Sequence, residues 1–308
     1  MSAEDLSLLP ASAILPIGEE APFRQTARAY LRSSGAIFGL VLLASIVGLA
    51  LLAPLVAPQN PYDLLQLDIM NSRLPPGSES TTGMIFWLGT DDQGRDMLSG
   101  IIYGLRISLS VGVSSALFAT IVGTSAGLIA AYAGRRTETV IMRIVDLQLS
   151  FPAILVALMI LAFLGKGIAN VVLALVIVEW ATYARAARAT ALVERRKEYI
   201  EAAEALAIPR WRIVFTHLLP NCLPPLIVIA TVQVARAIAL EATLSFLGLG
   251  VPVTEPSLGL LVANGYQYML SGMTWISFYP GVALLVTVVA INLVGDRLRD
   301  VLNVRGRI

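Results

Sequence analysis

Six nearly uninterrupted runs of apolar residues divide the chain, spanning approximately Ala36–Val56, Leu109–Ala131, Ile144–Leu164, Ile168–Ala184, Leu223–Leu244 and Trp275–Val294. Most are near the ~20 residues a helix needs to cross ~30 Å of hydrocarbon, where only intrahelical bonding satisfies the backbone. The pattern predicts an all-α polytopic membrane protein with six transmembrane helices. The polar segments between the runs alternate in charge. Arg24, Arg28 and Arg32 precede the first run, Arg135, Arg136 and Arg143 separate the second from the third, a series from Arg185 to Arg212 follows the fourth, and Arg297, Arg299, Arg305 and Arg307 follow the sixth. The intervening segments hold only Arg73, Arg95 and Lys166. Cytoplasmic loops carry the Lys/Arg excess, so both termini are expected in the cytoplasm. The chain divides into an N-terminal segment (1–35), a first span with a long outer loop (36–100) and a core of five spans (101–308). A second long outer loop covers 245–274, and Trp87, Trp275 and Tyr279 fall where an aromatic belt lies.

Within the second run, Ser115, Ala119, Gly123 and Gly127 recur every four residues and form a stripe that lets another backbone approach closely. The spacing leaves open whether that backbone belongs to this chain or to a second subunit. Pro152 and Pro280 each remove a backbone donor and predict a kink. Ionisable side chains are costly in hydrocarbon and point inward or pair. The candidates are Asp146, Glu179, Arg236 and Glu241, with Arg106 at the membrane edge, and Arg106 and Arg236 are the cations available to Glu241.

Between the fourth and fifth runs lies the most basic polar segment. Tyr199, Ala202, Ala203 and Leu206 follow helical spacing, with Lys197, Glu198, Glu201 and Glu204 around the polar side. Pro209 suits the first position of a second helix, in which Trp211, Val214, Phe215 and Leu218 form an i, i+3, i+4, i+7 stripe ended by Pro220. The product is a helix-turn-helix elbow at about 198–220 beneath the membrane.

Composition narrows the function. Of 308 residues, 56% are apolar and 14% charged, against roughly 25% charged in globular domains. The net charge of +1 gives no electrostatic pull toward nucleic acid. Cys222 and His217 are the only residues of their kinds, which excludes a disulfide framework and the usual Cys/His zinc sites. No GxxxxGK[ST] phosphate loop occurs, so no ATPase site is expected in this chain, and no resident cofactor is foreseen.

The run Glu201-Ala-Ala-Glu-Ala-Leu-Ala207, followed by His217-Leu-Leu-Pro220-Asn221, resembles the EAA loop of permease subunits of binding-protein-dependent ABC importers. Ala207 stands where the family pattern has Gly, so the turn there is expected to rely on Pro209, because Ala tolerates positive φ poorly. The segments Leu88-Gly-Thr-Asp-Asp-Gln-Gly-Arg95-Asp96, Tyr103-Gly-Leu-Arg106, Arg143-Ile-Val-Asp146 with Phe151-Pro152, Glu241 to Gly250, Pro280-Gly281 and Gly295 to Asp300 resemble the dipeptide/oligopeptide branch, of the C-type second-permease kind, over roughly residues 24–305.

The resemblance implies a type I importer permease in a bacterial inner membrane, whose elbow docks on one of two cytoplasmic ATPases that use ATP and Mg. A second homologous permease completes the pathway, and an extracytoplasmic solute-binding protein delivers substrate. On this reading Glu201, Ala202, Ala203 and Ala207 make the ATPase contact with Pro209 at the turn, Tyr199 and Leu206 are apolar anchors, and Arg210 and Arg212 are charged contacts. The outer Leu88–Asp96 segment either meets the binding protein or packs on the permease. Within the branch the solute is a di- or oligopeptide, nickel, an opine or glutathione, and the residues do not select among them. An ion-coupled secondary transporter is the rival class. It requires inverted repeats and ion-coordinating groups at midplane, neither of which is legible here.

Overall fold

A computed structural model describes residues 28–63, 65–81 and 83–303. The expectations placed on Arg24, Arg305, Arg307 and most of the 1–35 segment fall outside those residues. Helix α1 (Ser34–Leu51) is followed by a short helix α2 (Ala53–Val56), so the first apolar run is two pieces broken at Leu52, just ahead of Pro54. After a long loop containing a two-residue hairpin (β1, Ser78–Glu79; β2, Ile85–Phe86) comes α3 (Met97–Tyr132), 36 residues long. It begins twelve residues before the predicted run because Asp96 caps it, Oδ2 accepting from the Ser99 N–H at 2.8 Å.

The third predicted span is not one helix. Helices α4 (Arg135–Ser150) and α5 (Ala153–Leu164) meet at Phe151-Pro152 with a bend of 91°. Pro152 cannot donate, and it forces Phe151 into extended backbone at ψ 143°. Only α5 is apolar throughout. Helix α4 is amphipathic, which places Asp146 on an exposed flank where Arg185 Nη2 donates to it at 2.7 Å. Helix α6 (Ile168–Glu194) leads into the elbow helix α7 (Glu198–Ala205), and α8 (Arg210–Phe246) returns through the bundle. Helix α10 (Trp275–Asn303) ends the described chain and runs unbroken through Pro280. Five helices are thus long and apolar enough to cross a membrane, or six spans with the bent α4/α5 pair, among the described residues.

Helices α3 and α6 form the closest pair. A Cβ on Gly123 would meet the Trp180 carbonyl and lie 2.5 Å from Tyr183 Cβ, and one on Gly127 would lie 2.5 Å from the Ala184 carbonyl oxygen. The small-residue stripe is therefore filled by this chain's own fourth span, deciding the alternative that spacing left open.

The segment 247–274 is not a plain loop. Its helix α9 (Leu258–Tyr266) is too short to span and is packed inward, with Leu258 and Leu261 buried against Ile101, Leu105 and Ile276. On the same face the 57–96 loop folds back over the helix ends. Arg95 is buried and reaches the Val253 carbonyl with both terminal nitrogens at 3.3 and 3.4 Å, and Trp275 Nε1 donates to the Thr90 carbonyl at 3.4 Å. The Leu88–Asp96 motif accordingly serves packing within the chain: Thr90, Asp91, Arg95 and Asp96 are all buried.

Candidate functional site

At the opposite end of the bundle, α7 lies across the ends of α3 and α6. Ile200 and Ala203 are buried with Ile213 against Tyr132 and Ile208. This face holds the helix in place, so Ala203, expected in the partner contact, packs inward. The other face is bare: Tyr199, Glu201, Ala202 and Leu206 are exposed, Leu206 at 76%. Leu206 is thus an open apolar side chain beside a carboxylate, on a helix anchored from behind. Tyr199 Oη donates to Glu194 Oε2 at 2.8 Å, which fixes the ring at the apex, and lost hydration, followed by the acceptor carboxylate, pushes the phenol up to about 12.

The turn that closes the elbow departs from the expectation. Ala207 itself takes the left-handed conformation, with φ 53°, and the Ile208 N–H donates to the Ala203 carbonyl at 3.2 Å, as at helix ends closed by glycine. Pro209, in extended backbone with ψ 138°, then caps the next helix instead of occupying its first turn. The turn is made despite the residue, at a strain of roughly 1–2 kcal/mol.

Pro220 does not stop the second helix. The segment Ile213–Leu218 is a π turn, and the helix continues through Pro220, Pro224 and Pro225 to Phe246. Widening the ladder to i+5 shifts the buried face by one position. Ile213 and Leu218, five apart, are buried, whereas Trp211 and Phe215 of the predicted stripe are each 64% exposed. Arg210 and Arg212 are exposed beside them, with Arg212 stacked 5.8 Å from its neighbour's indole.

The intramembrane charges resolve differently from one another. Glu241 pairs with neither Arg106 nor Arg236. It is fully buried and accepts from Ser108 Oγ at 2.9 Å and Ser245 Oγ at 2.7 Å, while Ser108 Oγ in turn accepts from the Leu258 N–H at 3.3 Å. The carboxylate thereby joins α3 and α8 to the start of α9, a role visible only once Ser108 and Leu258, 150 residues apart, are adjacent. Arg236 instead acts electrostatically on Glu179, whose carboxylate is buried between spans with no hydrogen-bond partner. Arg106 is exposed and lies near Tyr62, which packs edge-on against Tyr103 at 5.1 Å.

The elbow is held from behind and exposed in front, on a bundle with five helices, or six spans with the bent pair, long and apolar enough to cross a membrane among the described residues. Residues 122–307 match the profile of the binding-protein-dependent transport system inner membrane component. The chain belongs to that family. Residues 21–76 of this permease also match the N-terminal TM domain of oligopeptide transport permease C. Among curated relatives, it is 38% identical over 282 residues to a di/tripeptide transport system permease protein of Pseudomonas aeruginosa, covering 92% of both chains. It is 40% identical over 296 residues to a putative peptide transport system permease protein of Brucella suis, covering 96% of both. Among solved structures, the inward-facing MetNI methionine ABC transporter superposes with a TM-score of 0.56 at 24% identity, covering 67% of this permease and 97% of that chain. That likeness establishes the type I importer permease fold. The exposed apex, Tyr199, Glu201, Ala202 and Leu206, is a set the sequence identified; Tyr132 and Arg195, which support it from the bundle, carry no sequence signal of that role.

Proposed function

We propose that this permease carries di- or oligopeptides across a bacterial inner membrane as one half of a two-permease pathway, with both termini and the elbow in the cytoplasm. Two ATPase subunits supply ATP hydrolysis, one of them docking on α7, and an extracytoplasmic binding protein loads the opposite face. This chain holds no ATPase site of its own and contributes the pathway and the lever. The observation that carries the reading is the two-faced elbow: Ile200 and Ala203 bury one side, while Tyr199, Glu201, Ala202 and Leu206 stand exposed on the other. The peptide assignment is supported by relatives whose names specify peptide transport and which align over more than nine-tenths of this chain.

The test is uptake of labelled dialanine by a strain lacking other peptide importers, with the native chain or Glu201→Lys. The native chain is expected to import it, with competition by other dipeptides, and the variant to insert normally while uptake is lost. Import of nickel, an opine or glutathione with no dipeptide competition would reassign the solute. Undiminished uptake by Glu201→Lys would reject the elbow as the coupling contact.

A further inference from the structure

The elbow is joined covalently to α6 and to α8. Toward α8 the chain passes through the left-handed Ala207, extended Pro209 and the π turn Ile213–Leu218. Single π turns inside α-helices recur at functional sites. Helix α3, 36 residues long, is not joined directly to the elbow in the chain. A side chain at its end bridges the two by a hydrogen bond. Tyr132 Oη donates to Glu204 Oε1 on α7 at 3.0 Å, across 72 residues of sequence. The Arg195 guanidinium, at the end of α6, lies 4.8 Å from the Tyr132 ring centroid, and its Nη1 donates to the Ala131 carbonyl at 3.0 Å. The same side chain packs against the buried cluster that holds Leu128, Ala187 and Leu218 and against the cluster of Ile200, Ala203 and Ile213. Three elements therefore meet on one aromatic side chain.

We propose that Tyr132 is the positioning residue that delivers displacement of the elbow to the α3–α6 pair. The inference rests on the coupling role assigned to the elbow above. The physical argument is one of stiffness. Gly123 and Gly127 allow no gap between α3 and α6, so a force applied at Tyr132 moves both helices as one body. Packed interiors shift between discrete arrangements and do not deform continuously. A pocket of ≈ 430 Å³ lined by Tyr132, Gly134, Arg195, Glu204, Ile208, Arg210 and Ile213 flanks the strut, so the hydrogen bond can break and reform without opening the core.

The experiment uses the whole importer reconstituted in liposomes, with dialanine uptake and ATP hydrolysis measured together. Tyr132→Phe keeps the ring, its packing and its cation contact, and removes only the hydroxyl donor. Glu204→Ala removes the acceptor, whereas Glu204→Gln keeps an acceptor oxygen. Dipeptide imported per ATP is expected to fall about threefold in Tyr132→Phe and in Glu204→Ala, since a half-exposed charge-assisted bond is a modest one. Glu204→Gln is expected to stay near the native ratio, and the double variant Tyr132→Phe/Glu204→Ala to fall no further than either single, because both remove the same bond. A purely structural role would lower uptake and ATP turnover together and leave the ratio unmoved. An unchanged ratio in Tyr132→Phe, or a double variant whose loss is the product of the two singles, would overturn the proposal. Glu201→Lys is run alongside: if it also leaves uptake intact, the coupling reading fails as a whole, and if it abolishes uptake while Tyr132→Phe keeps the ratio, this inference alone fails.

Discussion

Gly123→Ala adds one methyl group at the close contact between α3 and α6. The new carbon would meet the Trp180 carbonyl and lie 2.5 Å from Tyr183 Cβ and 3.0 Å from the Ala184 backbone nitrogen. Two of those neighbours are backbone, which cannot rotate away, so α3 must move off α6 by roughly 1 Å to restore ordinary contact distances. Overpacking of this kind costs about 1–3 kcal/mol. For a chain of this size that corresponds to a fall of about 2–6 °C in Tm. Gly127→Ala meets the same helix, at 2.5 Å from the Ala184 carbonyl oxygen and 2.7 Å from Ala187 Cβ. One outward shift relieves both clashes, so the double variant should lose less than the sum of the singles. Gly281, with nothing within 4 Å of an added Cβ, is the control, and its alanine variant should be neutral or slightly stabilised. The assay is thermal unfolding of the detergent-purified permease on its own, followed by tryptophan fluorescence. If Gly123→Ala unfolds like the native chain alone and weakens only the assembled importer, the stripe belongs to an intersubunit contact and the packing argument is wrong.

Three further outcomes follow from the same geometry. Burial pushes the Asp91 carboxyl up to about 6 from its ordinary 3.8, so the folded state holds its proton more tightly than the unfolded chain. Stability from this group is full below about pH 4 and falls by roughly 3 kcal/mol as pH rises to about 6; Asp91→Asn, whose Oδ1 can still accept from the Gln93 and Arg95 N–H groups, should flatten that decline in Tm measured across pH 4–7.5, and an identical decline in both chains would refute it. Glu241→Ala strands the Ser108 and Ser245 hydroxyls that donate to it and should cost about 2–5 kcal/mol while loosening α9 to limited proteolysis; unaltered cleavage in 247–274 would count against the anchoring role. Ala207→Gly relieves the strain at φ 53° and should stabilise the elbow by about 1 kcal/mol with uptake retained, read as slower hydrogen exchange in 198–209; faster exchange there would contradict it.

The spans, the elbow helix and the break at Pro152 were legible along the chain because each answers a local demand. Hydrocarbon tolerates only long apolar helices, an amphipathic period buries one face, and proline cannot donate wherever it stands. At the elbow the spacing set Tyr199 and Leu206 opposite Glu201, yet the structure buries Ile200 and Ala203 and leaves all three exposed; only the resemblance to the EAA loop had grouped them. What the chain could not announce is who meets whom. Periodicity named the stripe from Ser115 to Gly127 but not the α6 backbone that fills it, and charge named Glu241 while misplacing its partners, which are serines rather than arginines. The bend of 91° between α4 and α5, by which Asp146 leaves the apolar layer, is an angle, and composition carries no angles. The π turn kept Leu218 of the predicted stripe buried but exchanged Trp211 and Phe215 for Ile213, by changing the helical period that the pattern assumed. Tyr132 and Glu204 stand 72 residues apart with unremarkable neighbours in sequence. Local pattern records each residue's solvent and backbone limits, whereas a bond between distant side chains exists only after the whole bundle has packed.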